Sequence, residues 1–108
     1  MQLQIATFDS EAFCGYTQIT TFFQDFSIAE NFGRKAIEDT YIRSFKAWKN
    51  NYKYLTELVM VLNWKIWQHY EHDEELAQYY SELWEMADMW ACENLKGEEL
   101  DYFYRTTD

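Results

Sequence analysis

Residues 54–70, Tyr-Leu-Thr-Glu-Leu-Val-Met-Val-Leu-Asn-Trp-Lys-Ile-Trp-Gln-His-Tyr, restrict the fold more than any other stretch of this chain. On a helix of about 3.6 residues per turn, Leu55, Leu58, Val59, Leu62, Ile66 and Tyr70 form one stripe, while Met60, Val61, Trp64 and Trp67 spread apolar surface over much of the rest. A helix that is apolar on nearly every side needs neighbours on nearly every side. This one is therefore expected at the centre of an all-α domain, with the other segments as its walls. The sequence contains no proline and three glycines in 108 residues, which favours helices joined by short polar turns over a strand-rich fold that would need turn residues.

The flanking segments read as helices with defined ends. Ser27 and Glu30 have capping-box spacing, Ile28 and Phe32 lie one turn apart, and Gly33 either ends or bends that piece. Beyond it, Ile37, Tyr41, Phe45, Trp48 and Tyr52 step along one face, opposite Lys35, Arg43, Lys46, Lys49 and Lys53. Asn50 and Asn51 suit a break. After Tyr70, Asp73 has the character of an N-cap, with Glu74 and Glu75 in the first turn and a buried stripe of Leu76, Tyr79, Tyr80, Leu83, Ala87, Trp90 and Ala91. Glu82, Glu85 and Asp88 take the solvent side. Gly97 fits a left-handed cap after Lys96, and Leu100, Phe103 and Tyr104 support a short helix over Glu98 to Tyr104.

The expected architecture is a small antiparallel bundle of three main helices, about Ile28 to Asn50, Lys53 to Tyr70 and Glu74 to Lys96, in a single domain spanning residues 1–108. Residues 1–20 are expected as an arm or short strand plus loop, because Leu3 and Ile5 alternate with Gln2 and Gln4. Thr21 and Gln24 also have capping-box spacing, which predicts a short helix over Thr21 to Phe26.

Charge excludes several functions. The net charge of −10 disfavours direct nucleic-acid binding, which relies on Lys and Arg displacing counterions, and equally disfavours anionic membranes. No basic region followed by an apolar run opens the chain, and the run from Leu58 to Leu62 is too short to span a bilayer, so a cytoplasmic protein is expected. Cys14 and Cys92 match no metal-ligand spacing and are expected as reduced thiols. Cys14 has no basic neighbour to activate it, since residues 1–33 contain no Lys or Arg, and no phosphate-cradling glycine loop occurs. The chain is read as non-enzymatic and without a cofactor.

Two positive features stand out. Arg34 to Lys65 holds seven basic residues against three acids, whereas Ile66 to Tyr104 holds eleven acids against Lys96 alone. This layout has a plain reading, solvated faces whose edges pair across the bundle, and a functional one. In the functional reading Glu71, Asp73, Glu74, Glu75, Glu82, Glu85 and Asp88 meet a protein partner with a basic surface, a DNA-mimic inhibitor being one version. Aromatic residues make up 20% of the chain, more than a domain this size readily hides, so some rings are expected at a surface or interface. Trp64 and Trp67 form either a second core face or an anchor for a partner, and with Tyr102 to Tyr104 they can equally close a homodimer. The alternative in a different class is a metal-binding bundle or metal-dependent enzyme centred on His69 and His72. Against it, the residues three before them, Ile66 and His69, do not supply the Glu-x-x-His pairing of di-iron bundles.

Three stretches, Asp25-Phe-Ser-Ile-Ala-Glu-Asn-Phe-Gly33, residues 54–67 and residues 91–108, resemble small acidic proteins found among the accessory genes of bacterial mobile elements and phages. The resemblance covers the chain from Asp25 onward and leaves the N-terminal arm aside. It implies no activity and no functional residue, only a host-facing or partner-binding accessory role.

Overall fold

A computed structural model describes residues 18–107, and within them every regular element is an α-helix: α1 Ile19–Ala29, α2 Arg34–Trp48, α3 Tyr52–His69, α4 Glu74–Asn94 and α5 Glu98–Thr107. The expected all-α class holds for this part of the chain. The period-two stretch at the N-terminus, the loop around Gly15 and Cys14 lie outside the described residues. Contacts divide the chain into two units, and the boundary at Leu58–Val59 falls within α3.

In the first unit α1 packs against α2. Phe22, Phe26 and Ala29 follow one another by fours and threes along α1 and are buried, as helical spacing requires of a single packed face. The helix is longer than the predicted Thr21 to Phe26 and begins earlier, with the Gln18 carbonyl accepting from the Phe22 amide at 2.9 Å. Ser27 and Glu30 therefore do not start a helix: Ser27 lies inside α1, and Glu30 follows its last residue. The first long helix predicted from Ile28 begins instead at Arg34. The interruption is a turn in which the Asn31 and Phe32 amides donate to the Ile28 and Ala29 carbonyls at 3.0 and 2.9 Å, and Gly33 then takes φ 105° and ψ −179°. Those angles belong to a region that glycine alone enters without strain. Ile28 and Phe32, one turn apart in sequence, flank this turn and are 58% and 77% exposed.

Along α2 the buried face is Ile37, Thr40, Tyr41 and Ser44, with Tyr41 stacked on Phe45 at 5.8 Å. Phe45, Trp48 and Tyr52, expected to continue the stripe, are only half-buried. Desolvation pushes the Tyr41 phenol up to about 12, so it stays a neutral hydroxyl at ordinary pH. On the solvent side Lys35 pairs with Asp39 at 3.2 Å and Glu38 at 3.7 Å. The break at Asn50 and Asn51 is where the sequence placed it, but its mechanism differs. No non-glycine residue among those described has positive φ; instead Asn51 caps α3, its side-chain oxygen accepting from the Tyr54 amide at 3.2 Å and its carbonyl from the Leu55 amide at 2.8 Å.

Leu55, Leu58, Val59, Val61 and Leu62 of α3 are fully buried. So are three polar residues, Thr56, Glu57 and Lys65. The Thr56 hydroxyl is satisfied locally by donating to the Tyr52 carbonyl at 2.7 Å. The predicted stripe weakens beyond Leu62: Ile66 is half-buried, and Tyr70, past the end of the helix, is 59% exposed rather than core.

In the second unit α4 packs against α5. Asp73 caps α4 as predicted, accepting from the Leu76 amide at 3.1 Å, with Glu74 and Glu75 in the positively polarised first turn. Ala77, Tyr80, Leu83, Ala87 and Ala91 are buried, while Leu76, Tyr79 and Trp90 sit at the edge of that face. Gly97 has the expected positive φ of 61°, yet it does not cap α4. Leu95 is already extended, and the Gly97 carbonyl accepts the Asp101 amide at 3.0 Å, so this glycine opens α5. Glu98, Glu99 and Asp101 near the start of α5 and Arg105 near its end complement the helix dipole, and Phe103 anchors it from within. No helix of the described residues is long and apolar enough to cross a membrane.

Candidate partner-binding surface

The last turns of α3 separate interior from exterior by helical phase. Leu58, Leu62, Lys65 and His69 recur by fours and threes, and the first three are fully buried. Trp64 and Trp67 fall off that line and are 42% and 67% exposed; Tyr70, three residues further, continues their row past the helix end. Trp67 and Tyr70 contact each other with ring centroids 5.6 Å apart and planes tilted by 50°. Trp64, Trp67 and Tyr70 thus form an exposed aromatic row, and the N-terminal segment that the second-core reading would lay over the two tryptophans is outside the described residues. Lys65, between the two tryptophans in sequence, is fully buried.

Carboxylates follow at once. Glu71, Asp73, Glu74 and Glu75 are exposed in the turn and the first turn of α4, and Asp73 uses one oxygen for its cap. Further along α4, Glu82 and Glu85 are exposed together with Met86 and Met89, each 56% exposed. The acidic face thus carries two flexible, polarisable side chains that adapt to an apolar partner. Asp88 departs from expectation: it is half-buried and engaged in an interaction of its own. Cys92 is exposed, with its sulfur 3.0 Å from the Tyr104 hydroxyl.

The two histidines do not converge. His69 is half-buried and stacks almost parallel on Tyr80, with centroids 5.9 Å apart and planes 4° from parallel, whereas His72 is exposed in the turn. Among the described residues no group of three or more His, Cys, Asp or Glu side chains is placed to hold a metal ion.

Two features escaped the sequence reading. Glu57 is fully buried in the first unit: its Oε1 accepts from the Gln18 amide at 2.8 Å, and its Oε2 has no hydrogen-bond partner among the described residues. Burial pushes its carboxyl up to about 8 against the opposing pull of the Gln18 N–H, so the group is mostly a neutral acid at pH 7. The signal was present in the sequence, since a Glu inside Leu55-Thr-Glu-Leu-Val59 has no solvent arc to occupy once both flanks are apolar. The other feature is an open groove of about 290 Å³ between α1 and α2, lined by Asp25, Ile28, Phe32, Asp39, Thr40 and Arg43 among others. It arises from the turn at Gly33, which leaves Ile28 and Phe32 on its rim.

The described chain is thus an all-α protein with an aromatic row and an acidic face in its second unit. The chain matches no family model, no curated protein and no solved structure.

Proposed function

We propose that this protein is a non-enzymatic interaction module of the cytoplasm, an accessory protein of the kind it resembles, which binds a protein partner with a basic surface. The contact combines the Trp64–Trp67–Tyr70 row with the carboxylates of Glu71, Glu74, Glu75, Glu82 and Glu85. One observation carries this reading: the exposed rings at the end of α3 are followed at once in the chain by a dense run of exposed acids, with no exposed Lys or Arg between residues 64 and 85. Tryptophan and tyrosine rings that are rigid and already exposed lose little entropy on contact, while surrounding carboxylates steer a cationic surface and set register. Inhibition by DNA mimicry is the narrower form of the proposal, in which the basic surface belongs to a nucleic-acid-binding protein.

A salt-graded pull-down from bacterial lysate tests it. The chain should retain a basic protein at low ionic strength, release it as salt rises, and lose it in the double substitution Glu82→Lys with Glu85→Lys. Retention that is indifferent to both salt and the double substitution, or no retention, counts against the acidic face.

A further inference from the structure

We infer that the aromatic row seats an arginine side chain of the basic partner, its guanidinium stacked on Trp67 beside Tyr70 and paired with a carboxylate of Glu71 or Glu74. This rests on the partner-binding reading above and narrows its ligand to one side-chain chemistry. The rings offer flat, electron-rich faces, and such faces attract a cation placed over them. Trp67 is 67% exposed and Tyr70 is 59% exposed, so both have open surface, and their 50° tilt makes a shallow shelf rather than a closed box. A shelf suits a planar group that lies against one ring more than a compact ammonium that needs enclosure.

The protein supplies no occupant of its own from this segment. Between residues 64 and 75 the sole Lys or Arg is Lys65, and it is fully buried, whereas Glu71, Asp73, Glu74 and Glu75 are all exposed. The exposed charge of this segment is therefore anionic, with Asp73 partly committed to its cap. Guanidinium fits this mixture better than ammonium for two reasons. It is weakly hydrated and stacks on aromatic faces, and its fork of N–H donors can bind a carboxylate with two bonds while the plane stays on the ring.

The test uses the full chain titrated with an arginine-glycine repeat peptide, its lysine-glycine counterpart and a citrulline-glycine peptide, followed by calorimetry at low salt. The arginine peptide should bind severalfold more tightly than the lysine peptide, and the uncharged citrulline peptide should not bind. Trp67→Ala should weaken the arginine peptide about fivefold, the effect of one exposed cation–π contact, with Trp67→Phe intermediate and the helical circular dichroism unchanged. Equal binding of the arginine and lysine peptides, untouched by Trp67→Ala, would overturn the shelf. If Glu82→Lys with Glu85→Lys then abolishes that binding, the broader acidic-face reading survives alone; if it does not, both fall. Concentration-dependent dimerisation that disappears in Trp67→Ala would also overturn the inference, because a second copy would then be the occupant.

Discussion

Replacing Glu57 by Gln isolates the effect of one buried proton. In the folded chain the carboxyl is fully buried and its pKa is raised from 4.5 to about 8, chiefly by desolvation. Between those two values the folded state keeps a proton that the unfolded state releases. Stability must therefore fall as pH rises from about 4.5 towards 8 and level off beyond it. At about 1.4 kcal/mol per pKa unit, the destabilisation accumulated by pH 7 is about 3 kcal/mol. Glutamine preserves size and still offers an oxygen to the Gln18 amide, which lies 2.8 Å from Oε1. Its NH₂ takes the place of the Oε2 hydroxyl, which also lacks an acceptor among the described residues, so the cost of the unsatisfied donor largely cancels. Urea denaturation of both proteins at pH 5 and pH 7 measures the difference. Glu57→Gln should be close to wild type at pH 5 and more stable by about 2–3 kcal/mol at pH 7. Two stability curves that run parallel across this interval would refute the reasoning, since they would mean that Glu57 titrates alike in both states.

Three further outcomes follow from burial and capping. Leu62→Ala, at a fully buried position of α3, should lower the unfolding free energy by about 2–5 kcal/mol in the same denaturation assay. Asp73→Ala removes the acceptor for the Leu76 amide and should cost about 1 kcal/mol, seen as a lower denaturation midpoint with an unchanged slope. Trp67→Ala, by contrast, should leave thermal stability within about 1 kcal/mol of wild type, because its ring is mostly in solvent; a larger loss would return Trp67 to the core.

The sequence revealed most where one local rule acted unopposed. The α4 cap at Asp73, the break at Asn51 and the closing helix from Glu98 all rest on a few neighbouring residues, and each is found there. It misled where two rules competed over the same stretch. Thr21 with Gln24 and Ser27 with Glu30 share the same spacing, and only a turn set by Gly33 decides that both pairs lie at or within one helix that ends at Ala29. The candidate surface was legible in composition but not in orientation. On a helix apolar nearly all round, periodicity cannot say which rings face out, and a lysine beside two tryptophans suggests an open flank. Here Lys65 shares the phase of Leu58 and Leu62, and the tryptophans take the solvent side. Glu57 is hidden for a related reason: on a helix apolar nearly all round, periodicity gives a lone carboxylate no solvent arc, and its neighbours Leu55, Thr56, Leu58 and Val59 are all fully buried.

Gly33 ties the fold to molecular handedness. Its φ of 105° with ψ of −179° is the mirror image of ordinary extended backbone, and a Cβ built there meets nothing within 4 Å. A natural L-residue is disfavoured by torsion alone, with no crowding to blame. The torsions are those D-alanine prefers, as L-alanine prefers a strand's, and at a site with room for its methyl group the narrowed freedom of the unfolded chain adds about 0.4–1 kcal/mol. The turn that exposes Ile28 and Phe32 is thus a point where an achiral residue stands in for a D-amino acid.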